Sequence, residues 1–285
     1  MKLSIKHIQV AVGSALVVAT GIIGCQDPDY PAAQPSTTGY NTTSTRVLFV
    51  NATPNAASLR LSVDNSLVGT LTPSTSTTYV GVPLGAVAAT APQIRVSGAG
   101  GTLGANDFTS KGALLANTAY TIFITDSITR PAVRNAAGTV TDIGGIRTLQ
   151  VTDNLTAPAA GNAHVRVFHL SPDAPTPVSV RLQPTAPTST TVAPAFLNRV
   201  YRAATVTTGT GTTAVTTNYA NFTPVPAGTY TAQVYAGATI PPTSSTVSPI
   251  LTVPSVTVAD GKIYTIYARG LRRTGTLGAG VVQHN

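Results

Sequence analysis

His169 and Asp173 stand four residues apart, with His164 nearby. Histidine with aspartate is the pairing from which metal sites and acid–base centres are built. A metal site needs three or four ligands, and no third ligand is visible near this pair. In an extended strand His169 shares the face of Val165 and Val167, whereas Asp173 lies beyond Pro172 in a turn. Ser171-Pro172-Asp173 therefore reads better as a turn cap built from side-chain-to-backbone hydrogen bonds. Hydrolysis would need a nucleophile, a base and an orienting group. Serines are plentiful, but no Gly-x-Ser-x-Gly elbow occurs, and His164, His169 and His284 are the only histidines after residue 24. The 9 acidic residues offer no defensible carboxylate pair for glycoside chemistry. Gly98-Ala99-Gly100-Gly101 lacks the Lys-Ser/Thr of a phosphate loop and reads as a turn. These residues predict no enzyme activity, no metal and no cofactor.

The remaining reactive side chain is Cys25, the only cysteine in 285 residues. Lys2 and Lys6 precede an almost wholly apolar run from Ile8 to Ile23, the layout of a secretory signal. The run is shorter than the roughly 20 residues of a comfortable transmembrane helix. It ends in Ile22-Ile23-Gly24-Cys25, which resembles the bacterial lipobox: an aliphatic residue, a tolerant position, a small residue and cysteine. That resemblance implies removal of residues 1–24 and acylation of Cys25. The bilayer is then a partner, because two or more acyl chains anchor stably at about 0.8 kcal/mol per buried methylene. Gln26 rather than aspartate follows the cysteine, which favours the outer membrane, and Asp27 and Asp29 resemble a surface-export signal.

Composition narrows the rest. The formal charge of +8 falls to +6 without Lys2 and Lys6, and the basic residues are dispersed, with Arg269, Arg272 and Arg273 the tightest group. No aromatic-interleaved basic patch occurs, so nucleic acid is not an expected partner. An apolar content of 42% suffices for a core, while charged residues at 9% are too few for elaborate catalytic networks. Threonine and valine favour strands, and Gly and Pro punctuate them.

The chain repeats itself. Arg46–Asn51 and His164–His169 align without a gap at an offset of 118, and each leads into a Pro-containing turn. Alternating runs follow: Leu59, Leu61 and Val63 in one copy, and Val178, Val180 and Leu182 in the other. Val82-Pro83-Leu84-Gly85 and Val225-Pro226-Ala227-Gly228 look like matching tight turns. Late in each copy, Asn117 and Asp260-Gly261 turn into Tyr-Thr-Ile strands. The predicted layout is a signal peptide at 1–24, a lipidated flexible tether at 25–43, a first domain at 44–151, a linker at 152–162 and a second domain at 163–285. Each domain should be an antiparallel β-sandwich of immunoglobulin-like size. The Thr/Pro-rich inserts at 184–195, 205–217 and 236–249 are expected to be mobile loops or edge hairpins.

Arg166, His169, Ser171, Pro172, Asp173, Ala174 and Pro175 make the opening of the second copy resemble the DUF4397 family, a domain of unknown function common in bacterial exported proteins. The first copy departs from it, with Asn51, Thr53 and Asn55 in place of His169, Ser171 and Asp173. The resemblance implies exported β-sandwiches in tandem and assigns no ligand or catalytic residue. It leads to an expected cell-envelope lipoprotein acting as a structural or binding module, with an envelope polysaccharide or protein as candidate partner. A polysaccharide- or peptide-directed hydrolase and a passive surface spacer are the alternatives.

Overall fold

A computed structural model describes residues 44–56, 58–84, 92–98, 108–111, 113–186, 194–242 and 245–285. The signal-like segment, Cys25 and the tether lie outside the described residues, as do Gly85, Ala99–Gly101 and much of the insert at 184–195. Among the described residues no helix is long and apolar enough to cross a membrane.

The protein is all-β and carries two similar clusters of sheets. In the first half β1 (Ser44–Asn51), β2 (Leu59–Val63), β3 (Ser66–Leu71), β4 (Val80–Pro83), β5 (Gln93–Gly98), β6 (Phe108–Lys111) and β7 (Ala119–Thr125) precede a small hairpin, β8 (Val133–Arg134) and β9 (Val140–Asp142). The half closes with β10 (Arg147–Asp153). Its sheets run β10-β7-β1-β4 and β3-β2-β5-β6. The second half begins with β11 (Asn162–His169), β12 (Val178–Pro184) and β13 (Ala195–Arg199), followed by the hairpin β14 (Thr205–Thr208) and β15 (Val215–Asn218). Then come β16 (Thr223–Pro226), β17 (Gly228–Ala236), β18 (Leu251–Val258), β19 (Ile263–Arg269) and β20 (Gly278–Gln283). Its sheets run β20-β19-β11-β16 and β13-β12-β17-β18, the same order once the hairpins are set aside.

The repeated sequence signals mark equivalent places in this plan. β1 and β11 share one burial pattern over eight residues. The turns before β7 and β19 put Asn117 (φ 58°) and Gly261 (φ 72°) in the left-handed region. Their amides donate to Ser44 O and Asn162 O respectively, both at 2.9 Å. Val82-Pro83 and Val225-Pro226 lie on the edge strands β4 and β16, paired with the starts of β1 and β11. An edge tolerates proline because no neighbour needs its missing N–H. The insert at 205–217 forms the β14–β15 hairpin.

Purely antiparallel sheets were expected, and here the structure corrects the sequence reading. β1 pairs parallel to β7, and β11 parallel to β19. Parallel neighbours need a long crossover, and here almost the whole half intervenes between the two strands.

Each half has its own apolar core. Val47, Phe49, Tyr120 and Ile122 from one sheet meet Leu59, Leu61, Val63 and Val96 from the other. Likewise Val165, Val167 and Ile266 meet Val178, Val180, Leu182 and Val234. A third core joins the halves. Leu48, Val50, Phe123, Leu149 and Val151, on the other face of the β10-β7-β1-β4 sheet, pack against Phe168, Leu170, Tyr267 and Val282. The central strands of these two sheets are therefore buried on both faces, which is why Val47–Val50 and Ile263–Ala268 are continuously buried rather than alternating. The described residues from Ser44 to Asn285 accordingly belong to one compact unit. β10 extends to Asp153 and β11 begins at Asn162, so the connection between them is the short segment 154–161.

Candidate functional site

The seam positions each residue of the predicted motif. Arg166 projects from β11 with Phe168 and Leu170 and is completely buried. Its Nη2 donates to Asp153 Oδ1 at 2.5 Å and to Thr121 Oγ1 at 3.2 Å, both in the first half. Its Nη1 donates to Thr152 O and Ala220 O, and its Nε to Thr265 Oγ1 at 2.8 Å. The guanidinium lies 4.4 Å over the Phe222 ring. Asp153 Oδ2 accepts from Tyr79 Oη at 2.7 Å and from Thr121 Oγ1 at 2.8 Å.

The circuit closes through His284, whose Nδ1 is 2.8 Å from Tyr79 Oη and whose Nε2 is 2.8 Å from Thr265 Oγ1. Donor counting sets its direction. Tyr79 donates its one hydrogen to Asp153 and so accepts from Nδ1–H; in the neutral ring Nε2 is then an acceptor, and the Thr265 hydroxyl, which accepts from Arg166 Nε, donates to it. His284 is thereby held as the neutral Nδ1–H tautomer. Burial, and secondarily the Arg166 charge, push its pKa down to about 4. Burial and Asp153 push the Tyr79 phenol upward. Desolvation pulls Arg166 down against the opposing pull of Asp153, and a guanidinium is basic enough to remain charged.

The other motif residues organise the end of the seam. Ser171 Oγ donates to Gly270 O at 2.8 Å. Asp173 accepts from the backbone N–H of Arg272 at 2.6 Å and of Arg273 at 3.0 Å. The turn it caps is not its own but the one after β19, about a hundred residues later. In the first half Asn55 Oδ1 accepts from Ile128 N after β7, at the equivalent place. Ala174 is buried, and Pro172 lines the cleft described below. Pro175 sits near the His169 ring through its backbone, but neither ring nitrogen reaches a partner at hydrogen-bonding geometry. The ring packs edge-on against Tyr201, 5.5 Å between centroids. Burial lowers the His169 pKa to about 4, with the Pro175 backbone opposing weakly. His169 and Asp173 thus serve different neighbours. Among the described residues no three His, Cys, Asp or Glu side chains converge on a point.

Between the halves lies a cleft of about 290 Å³, lined by Asp126, Arg130, Arg147, Asp173, Tyr201 and Arg273, with Pro131, Pro172 and Leu271 among its apolar walls. Asp126 is buried at the end of β7 and accepts from Arg147 Nε and Tyr201 Oη, each at 2.5 Å. It holds φ 66°, a left-handed conformation that costs a non-glycine residue energy. The equivalent residue after β19 is Gly270 (φ 83°), where a Cβ would fall 2.1 Å from Thr276 O. Arg130 makes a two-pronged bridge to Asp142, both contacts 2.8 Å. That bridge and the Gly144 amide hold the Asp142 carboxyl down at about 2. Arg202 lies behind them; burial first, then the Arg147 charge, lower its pKa.

Sequence reasoning missed Asp153, Tyr79, Thr121, Thr265 and the role of His284. One signal was available: Asp153 shares the parity of Leu149 and Val151, and a charge in register with apolar residues asks for a buried partner. It fell instead within the predicted linker at 152–162. The cleft side chains Asp126, Arg130, Arg147 and Tyr201 carried no comparable mark, because the segment after β7, the start of β10 and the segment after β13 bring them together.

No curated protein matches the chain. Residues 45–181 match the family described as Domain of unknown function (DUF4397). The match begins in β1, spans the first half and the connection, and ends in β12, so it includes Arg166 and the Ser171–Pro175 turn. The chain therefore contains a DUF4397 domain over residues 45–181.

Proposed function

We propose that the protein is a cell-envelope lipoprotein, anchored through acylated Cys25 in the outer membrane, and that its β-body is a non-catalytic binding module. In this reading each half is an immunoglobulin-like sandwich, and the second half is a further DUF4397-type copy. The identical strand order and the shared offset of their opening strands support this tandem reading.

The observation that carries the binding reading is the seam. A continuous apolar core and a fully buried Arg166–Asp153 pair hold the halves as one unit, and side chains from both build the cleft. A passive spacer has no need of halves fixed in register, whereas a site assembled from two of them does. Among the described residues that line the cleft no nucleophile is paired with a histidine base: Asp126 is engaged by Arg147 and Tyr201, and the His169 ring packs against Tyr201.

The test uses the full chain, extracted in detergent, on arrays of envelope polysaccharides and proteins, with product release followed on the same polymers. Saturable binding without product is expected. Product formation would replace this reading with the hydrolase, and the absence of any saturable ligand would leave the spacer.

A further inference from the structure

The hydrogen-bonding inventory of the cleft is unbalanced. Its carboxylates already have donors from the protein: Asp126 from Arg147 and Tyr201, and Asp173 from the backbone of Arg272 and Arg273. Asp142, just behind, is taken by Arg130 and Gly144. The arginines are not used up. A guanidinium carries five N–H donors. Arg147 spends Nε on Asp126, and its Nη1 is 3.9 Å from Asp142, beyond hydrogen-bonding reach. Arg130 spends three of five. Arg273 is exposed, and among the described residues its guanidinium meets no carboxylate within ion-pair distance. Arg202, outside the lining, donates to Thr148 O; burial first, and then the Arg147 charge, lower its pKa.

A site with donors to spare and its acceptors occupied suits a ligand that only accepts. From this geometry we infer that the cleft binds the acidic sugar units of a polysaccharide, with Arg147, Arg130 and Arg273 holding the oxyanion. The volume of about 290 Å³ admits a group the size of one sugar ring. Pro131, Pro172 and Leu271 offer apolar walls to the C–H edge of such a ring. Guanidinium forks match planar carboxylates in particular. The inference rests on the binding-module reading above and names the ligand class for that cleft.

The probe is polygalacturonate, with neutral dextran as control, titrated against the full-length protein in detergent. The variants are Arg273→Glu in the cleft and Arg60→Glu on β2, which carry the same charge change. Arg273 is exposed, so its variant should keep the wild-type circular dichroism. Saturable polygalacturonate binding is expected, weakened ~10-fold or more by Arg273→Glu and less than ~2-fold by Arg60→Glu. Equal losses in both variants would overturn the site, because only the general basic charge would then be acting. Full displacement by millimolar inorganic phosphate would overturn the polysaccharide in favour of a free anion. Binding to dextran but not to polygalacturonate would refute this inference and leave the binding module standing. New reducing ends on bound polygalacturonate would support the ligand class and refute the non-catalytic reading.

Discussion

Replacing Arg166 with methionine removes the cation that is hydrogen-bonded to Asp153 while keeping most of the side-chain volume. Asp153 then stays fully buried with just the Tyr79 and Thr121 hydroxyls as donors. Removing one member of a buried pair costs about 3–5 kcal/mol, because the remaining charge is left without compensation. The carbonyls of Thr152 and Ala220 lose their Arg166 donor as well, adding about 1 kcal/mol each where no water replaces it. The upper part of that range is therefore expected. Asp153→Leu alone should cost a similar amount for the converse reason. The double variant, Arg166→Met with Asp153→Leu, replaces an ion pair by apolar groups beside Phe168 and Phe222, and such exchanges are often close to neutral. A double-mutant cycle from urea unfolding should thus give a coupling of more than about 2 kcal/mol. The seam joins the halves, so the single variants should also separate one cooperative transition into two. A single-variant cost below about 1 kcal/mol, or additive effects in the cycle, would refute the claim that this pair fastens the seam.

Acid should loosen the protein through its buried histidines. His169 and His284 have folded pKa values near 4 against an ordinary 6.5. As pH falls below about 6.5 the unfolded chain takes up protons that the folded chain refuses, so stability drops until about pH 4 and then levels. The limit is about 3 kcal/mol for each histidine, and urea midpoints measured across that window should show His284→Gln with the smaller acid loss. Gly280→Ala places a Cβ 2.2 Å from the buried Tyr267 ring and should cost about 1–3 kcal/mol. The neighbouring Gly278→Ala, with its nearest atom at 3.8 Å, should leave the melting temperature almost unchanged. Cys25→Ala should abolish fatty-acid labelling and the cleavage before residue 25 while leaving the circular dichroism of the β-body intact. Labelling that persists in that variant would remove the anchor from the proposal.

The strands that face a core on one side were legible in the sequence. Leu59, Leu61 and Val63 alternate with more exposed residues, as do much of β12 and β17, because a strand with one wet face must repeat with a period of two. The central strands were legible as strands but not as the seam. Leu48 and Phe168 sit among apolar neighbours, and a continuous apolar run says that both faces are covered without saying by what. The β8–β9 hairpin was missed because its strands are short and mostly exposed. Its one local mark is Asn135, whose side chain accepts from the amides of Ala137 and Thr139 to make the turn. The motif Ser171-Pro172-Asp173 was visible as a cap, but the turn that it caps lies at Arg272–Arg273. No local pattern could reveal a hydrogen bond across that separation.

The two halves differ most where they meet. Leu48 in β1 and Arg166 in β11 occupy equivalent seam positions, one apolar and the other charged. The Arg166 charge is tolerated because the first half supplies the Asp153 carboxylate, the Thr121 hydroxyl and the Thr152 carbonyl to receive it. At the next level the turn after β19 uses Gly270, while the turn after β7 uses Asp126 at the same left-handed conformation. A backbone that works with glycine has no local need of an aspartate there. Asp126 is accounted for only by what it holds, Arg147 from its own half and Tyr201 from the other. An energetically unfavourable backbone state that fixes two cleft side chains is the kind of strain found at binding sites. The asymmetry of the repeat thus points to the same end of the seam as the unbalanced donor count.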